Sequence, residues 1–283
     1  MKRFLVIAVL LAALLAGCAA PAAPTPAPTA ATTVLPTPIP PTAPAPRTLT
    51  VFAAASLTDA FKEIGKNFEA AYPGVTVTFN FAGSQTLRTQ LEQGAVADIF
   101  ASANHSEMDT AVKNNLVAGD APQDFVTNTL TVILPPGNPA NIQSLQDLSK
   151  NGTKLVLADK TVPAGKYALQ ALDGMSKDPA YGSDFSAKVL ANVVSYETDV
   201  KQVVAKVQLG EVDGGIVYLS DSIAAPELKT IEIPANFNVV AKYPLAALIQ
   251  APSPGLAGDF IAYVLSNDGQ AVLKKWGFTP VNP

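Results

Sequence analysis

The run Leu49-Thr50-Val51-Phe52-Ala53, then Ala54-Ala55-Ser56, then Leu57-Thr58-Asp59 onward to Ala71, decides how this chain folds. Leu49 to Ala53 is a short apolar stretch of strand length, and Leu57 to Ala71 repeats Phe61, Ile64 and Phe68 on one helical face. A strand that passes through small residues straight into an amphipathic helix is half of a β-α-β unit. The alternation recurs outward from there. Val75 to Phe81 reads as strand, Thr86 to Gln93 as a short helix and Ala97 to Ser102 as a buried strand. Leu130 to Leu134 is a strand stopped by Pro135-Pro136, and Lys154 to Ala158, Val193 to Tyr196 and Gly215 to Tyr218 are strands each followed by a helix-like segment. Ile231 to Ile233 and Tyr243 to Ile249 add further β pattern, and Gly258 to Trp276 forms a closing helical region. Repeated β-α units predict an α/β fold with largely parallel sheets.

The N-terminal part has a different character. Lys2 and Arg3 precede the unbroken apolar run Phe4 to Leu15, which Leu15-Ala16-Gly17-Cys18 closes with small residues. This is the layout of an export signal, too short to span a bilayer of about 20 residues. It resembles a bacterial lipobox, which implies a signal peptide over 1–17 and a diacylglycerol thioether on Cys18. Cys18 is the only cysteine, so a lipidated chain keeps no thiol for a disulfide or a Cys-based metal site. Residues 19–46 are almost all Ala, Pro and Thr. Such a stretch builds no core and extends as a semi-rigid spacer, up to about 85 Å long at about 3.1 Å per residue. Together, 18–46 read as a lipidated cysteine and linker that tether a soluble domain outside the cytoplasm.

From Arg47 onward the composition is that of a globular protein, long for one core and comfortable for two lobes. The formal net charge is −4, and no Lys/Arg cluster of the kind that a nucleic-acid backbone requires is present. Enzyme signatures are absent: there is no G-x-S-x-G, S-x-x-K, H-E-x-x-H, Walker A or G-x-G-x-x-G. His105 is the single histidine and reads as a solvated or helix-start residue, so a metal site of His and Cys ligands is not expected. Asp59, Asp98 and Asp199 read as solvated or capping carboxylates.

What remains is a set of strand-to-helix turns that carry small donors. Ser56 and Asp59 are spaced like a capping box. Gly83-Ser84 follows the second strand, Pro163-Ala164-Gly165 opens a helix with Pro at its first position, and Asp199-Val200 opens another. Tyr218 ends the strand Gly215-Ile216-Val217. Taken singly, either serine reads as a helix cap and Tyr218 as core or rim. Together they matter more, because the C-terminal ends of strands line the crevice of an open α/β sheet. Helix N-termini there aim free N–H groups and partial positive charge at an anion. The residues alone leave the ligand unnamed.

The ordered series Val51 to Thr58, Phe81-Ala82-Gly83-Ser84, Ala97 to Ala103, Val162-Pro163-Ala164-Gly165, Gly215 to Tyr218, Tyr243-Pro244 and Trp276-Gly277-Phe278 resembles the molybdate-binding proteins of bacterial ABC transporters. The resemblance runs from Leu49 to the end. It implies a two-lobed type II periplasmic-binding-protein fold, each lobe a mixed, mostly parallel sheet flanked by helices, with lobe 1 built from 47–127 plus 242–283 and lobe 2 from 128–241. It implies that Ser56, Ser84, Ala164, Val200 and Tyr218 hold an oxyanion, molybdate or tungstate, between the lobes through neutral donors, with no other cofactor and no catalytic residue. The implied partners are an ABC permease with its ATPase and a membrane through the lipid anchor, the protein itself being a monomer. Two positions depart from the pattern: Gly83 stands where some members carry another serine, and Lys201 where some carry arginine. A sulfate-binding protein of the same fold, a sensing module, and a surface lipoprotein hydrolase using Ser56 or Ser84 are the alternatives.

Overall fold

The computed structural model describes residues 47–281, all within one compact unit that begins at Ala43. The predicted signal peptide, Cys18 and the linker lie outside the described residues. In chain order, β1 (Arg47–Ala54) runs through a 3-10 turn (Ala55–Leu57) into α1 (Thr58–Ala71), followed by β2 (Val75–Ala82), α2 (Ser84–Glu92), β3 (Ile99–Ala101) and α3 (His105–Lys113). Then come β4 (Gln123–Asn128), β5 (Leu130–Leu134), a second 3-10 turn (Leu145–Ser149), β6 (Leu155–Ala158), α4 (Pro163–Met175), α5 (Phe185–Ala191) and β7 (Val193–Glu197). The chain continues through α6 (Val200–Gln208), β8 (Gly214–Tyr218), α7 (Leu219–Ile223) and β9 (Lys229–Glu232). It closes with β10 (Ala241–Ala247), α8 (Pro254–Leu265), α9 (Asn267–Lys275) and β11 (Thr279–Pro280).

The strands form two sheets, a six-stranded one in the order β11-β4-β10-β3-β1-β2 and a five-stranded one in the order β7-β6-β8-β5-β9. These are the two lobes. The chain leaves the first sheet at Asn128, enters the second at Leu130, and returns at Ala241. Both sheets are mixed. β2 and β3 flank β1 in parallel, and β7 and β8 flank β6 in parallel, as β-α-β crossovers demand. β10 runs antiparallel to both β3 and β4, and β5 antiparallel to β8 and β9. The antiparallel share exceeds what the strand-helix alternation suggested, because β5 and β10 are the strands that arrive from the other lobe without a crossover helix.

Period-2 burial on β1 positions the first lobe. Leu49, Val51 and Ala53 join one apolar core, while Phe52 points the other way into a second cluster with Leu87, Leu91, Phe100 and Met108. On the first face α1 lays Phe61, Ile64 and Phe68, all fully buried, against the sheet. Phe260 of α8 meets Phe61 and Phe68 edge-on at 6.1 and 5.2 Å, a favoured aromatic geometry. The closing helical region is two helices rather than one. The chain breaks at Ser266, whose hydroxyl accepts from Gly269 N–H and starts α9. No helix among the described residues is long and apolar enough to cross a membrane.

Candidate ligand-binding site

Ser56, Ser84, Ala164, Val200 and Tyr218 line one cavity, together with Gly83 and Pro163. Each stands where a strand gives way to a helix. Ser56 lies in the turn between β1 and α1, Ser84 is the first residue of α2, and Tyr218 is the last residue of β8. Pro163 takes the first position of α4, where its missing N–H is no loss, and leaves the N–H of Ala164 free at the second. Asp199 caps α6 by accepting from Gln202 N–H at 3.1 Å, so Val200 is the first helical residue with an N–H that no helix carbonyl reaches. The two serines belong to the first lobe and the other three residues to the second, so the cavity lies at the seam between the lobes.

The cavity measures about 10 Å³, near the minimum of about 10–15 Å³ that holds one water. It has room for about one water and none for a sugar or a peptide. Hollows of about 390 and 280 Å³ occur elsewhere on the surface, beside Asn238 and beside Asn115. Size therefore does not pick the site; convergence of donors does. Tyr218 Oη is fully buried without a hydrogen-bond partner among the described residues. Tyr243 lies beside it, ring centroids 5.8 Å apart. Burial, then the neighbouring Tyr243, pushes the Tyr218 hydroxyl well above the ordinary tyrosine value. It therefore stays protonated and available as a donor. Ser56 Oγ and Tyr243 Oη share a hydrogen bond of 2.9 Å, and Ser84 Oγ accepts from Ala103 N–H at 3.0 Å, which leaves the Ser84 proton free to point elsewhere. No Lys or Arg lines the cavity among the described residues. Its polarity comes from hydroxyls and from the N-termini of α2, α4 and α6, an arrangement that suits an anion held by neutral groups.

Comparison with known proteins agrees with this geometry. Residues 49–279 match the family model described as bacterial extracellular solute-binding protein. The chain belongs to that family. Within it, the Mycobacterium tuberculosis H37Rv protein named molybdate-binding protein ModA is 40% identical over 233 residues, covering 82% of this chain and 84% of the relative. The Bacillus subtilis protein YvgL, provisionally named an ABC transporter substrate-binding lipoprotein, is 30% identical over 82% of this chain and 86% of its own length. The solved Azotobacter vinelandii periplasmic molybdate-binding protein superposes with a TM-score of 0.71 at 18% identity, covering 82% of this chain and 98% of that one, a likeness of fold.

Seen as a solute-binding protein, the chain also shows what its sequence hid. Ser56 and Asp59 form no capping box: Ser56 lies inside the 3-10 turn and bonds Tyr243 across 187 positions, and Asp59 pairs with Lys201 at 2.7 Å. Asp98 is a buried carboxylate rather than a solvated one, accepting from Thr50 and Ser253 N–H. Asp199 does cap a helix, and His105 does start one, beside Asp124 at 2.6 Å. Gly83 has a packing reason. A Cβ there would meet the Thr198 carbonyl oxygen at 2.6 Å, across the seam, and Gln85 Nε2 donates to that same oxygen at 3.0 Å. Gly165 likewise lets α4 start against the end of β6, since a Cβ would lie 2.2 Å from the Asp159 carbonyl oxygen.

Proposed function

We propose that this solute-binding protein is the extracytoplasmic substrate-binding component of an ABC importer, and that its ligand is molybdate, with tungstate bound as well. The observation that carries the reading is the small seam cavity, where a buried, partnerless Tyr218 hydroxyl converges with two serines and two helix N-termini. The 40% identity to a molybdate-binding protein over most of both chains supports the choice of ion. In this reading Ser56 and Ser84 donate from the first lobe, and the Ala164 and Val200 N–H groups and Tyr218 from the second. The mechanism is binding without chemistry and needs no cofactor. A dianion is expensive to desolvate unless its oxygens all receive hydrogen bonds. Closure of the lobes around it supplies them and excludes water. The two backbone N–H groups can only donate, and hydroxyls turned to donate to a dianion are misdirected for the proton of hydrogen phosphate, which disfavours that ion. Sulfate has the charge and shape of molybdate but is smaller, and leaves the donors stretched.

The loaded, closed form is what a permease and its ATPase would receive. Lipidation of Cys18 and removal of 1–17 would hold the domain at the membrane through the 19–46 spacer; the YvgL name supports this, and the intact mass of membrane-fraction protein tests it. Calorimetric titration with molybdate, tungstate, sulfate and phosphate tests the ligand. Tight binding of the first two with little response to the others is expected; silence toward molybdate and tungstate overturns the reading.

A further inference from the structure

Lys201 directly follows Val200, yet its side chain takes no part in lining the cavity. Its ammonium lies 2.7 Å from Asp59 Oδ2 in α1 and 3.2 Å from Asp221 Oδ1 in α7. Asp59 belongs to the first lobe, three positions beyond Ser56, whereas Lys201 and Asp221 both belong to the second. Asp221 is fully buried, and its other oxygen accepts from the backbone N–H of Tyr218 at 3.3 Å. One line of contacts therefore joins the turn that holds Ser56 to the two second-lobe segments that hold Val200 and Tyr218.

The two halves of this cluster have different duties. The Lys201–Asp221 pair lies within one lobe and persists whether the lobes are together or apart; it answers the charge of a carboxylate that water does not reach. Burial raises Asp221 above the ordinary carboxylate value, Lys201 opposes that rise, and the nearby charge of Asp59 adds a smaller push upward. The Lys201–Asp59 contact exists only when the lobes meet. It is partly shielded, with side-chain exposures of 28% and 34%, so it is screened less than a fully solvated pair. On the far side of Val200 the Gln85–Thr198 bond also crosses the seam, and the anion site is bracketed by polar contacts that never touch its ligand.

We propose that Asp59 and Lys201 form an electrostatic clasp across the seam, making both positioning residues that retain the bound anion by holding the lobes together. The inference rests on the anion-binding reading above. Closure brings Asp59 to a cation already fixed by Asp221, so the clasp adds to the closed state and hardly to either lobe alone. It acts on release rather than capture, and it does not sense which tetrahedral ion is inside.

The test compares the purified full chain with its Asp59→Asn and Asp59→Glu variants. Titration gives Kd for molybdate and sulfate, release of radiolabelled molybdate into unlabelled molybdate gives the off-rate, and both are repeated at low and high salt. For Asp59→Asn, Kd should rise about 3- to 10-fold, carried by faster release, with the molybdate-to-sulfate ratio unchanged and the salt dependence of release reduced. Asp59→Glu, which keeps the charge, should recover most of the loss. The melting temperature of the anion-free protein should stay the same in both. An Asp59→Asn protein with wild-type Kd and off-rate overturns the clasp, and so does one whose anion-free melting temperature falls in step with its affinity. Wild-type protein that takes up neither molybdate nor tungstate overturns the binding reading and the clasp together.

Discussion

At Tyr218 a hydroxyl is buried with no partner among the described residues, a situation that costs a protein about 1–3 kcal/mol. An anion oxygen that accepts from it removes that cost, and hydrogen bonds to charged acceptors contribute about 1.5–3 kcal/mol. Tyr218→Phe is therefore expected to weaken molybdate about 10- to 100-fold while leaving the anion-free protein at least as stable as the wild type. Ser56→Ala should behave differently, because Ser56 already bonds Tyr243 at 2.9 Å. Its loss takes a hydrogen-bond partner from the fully buried Tyr243 hydroxyl and lowers both affinity and anion-free stability. Titration alongside thermal melting of the two variants separates the cases; equal melting losses would remove the distinction drawn between them.

At the scale of elements, the site depends on how closely helices start against strand ends. Gly165→Ala places a methyl on the carbonyl oxygens of Ala158 and Asp159, at 2.3 and 2.2 Å, and backbone cannot swing aside as a flexible side chain does. The start of α4 must shift, at a cost of about 1–3 kcal/mol, and the Ala164 N–H moves with it. Chemical denaturation should show that loss, and titration a drop in affinity of about 10-fold, since misplacing a donor by a few tenths of an ångström weakens its hydrogen bond. These local features were legible in the sequence. β1 and α1 announced themselves by apolar spacing, and the five proposed donors by their place at strand ends and helix starts. β4 was not legible: Gln-Asp-Phe-Val-Thr-Asn has little apolar content, and its strand state comes from pairing with β10 and β11. Nor were the Ser56–Tyr243 bond, the Gln85–Thr198 bond or the contact of Lys201 with Asp59, because each depends on which surfaces meet after the lobes have formed.

For the whole molecule, an ion that binds only the closed seam links ligand concentration to stability. At an anion concentration of 1,000 Kd the folded state should gain about 4 kcal/mol. For a domain of this size that corresponds to a rise in Tm of about 8–16 °C. Calorimetric scanning with and without molybdate measures it, and a shift no larger with molybdate than with sulfate would remove molybdate as the ligand. The order of strands in the two sheets has a separate consequence, for the birth of the protein. The five-stranded sheet draws every strand from one continuous stretch, β5 to β9. The six-stranded sheet has β10, from near the end of the chain, wedged between β3 and β4. A polypeptide threaded out of the cell from its N-terminus thus has all the strands of the later lobe before the earlier one can be completed. Until residues 241–247 emerge, β3 and β4 stand apart with unpaired edges, the condition in which nascent chains invite wrong partners.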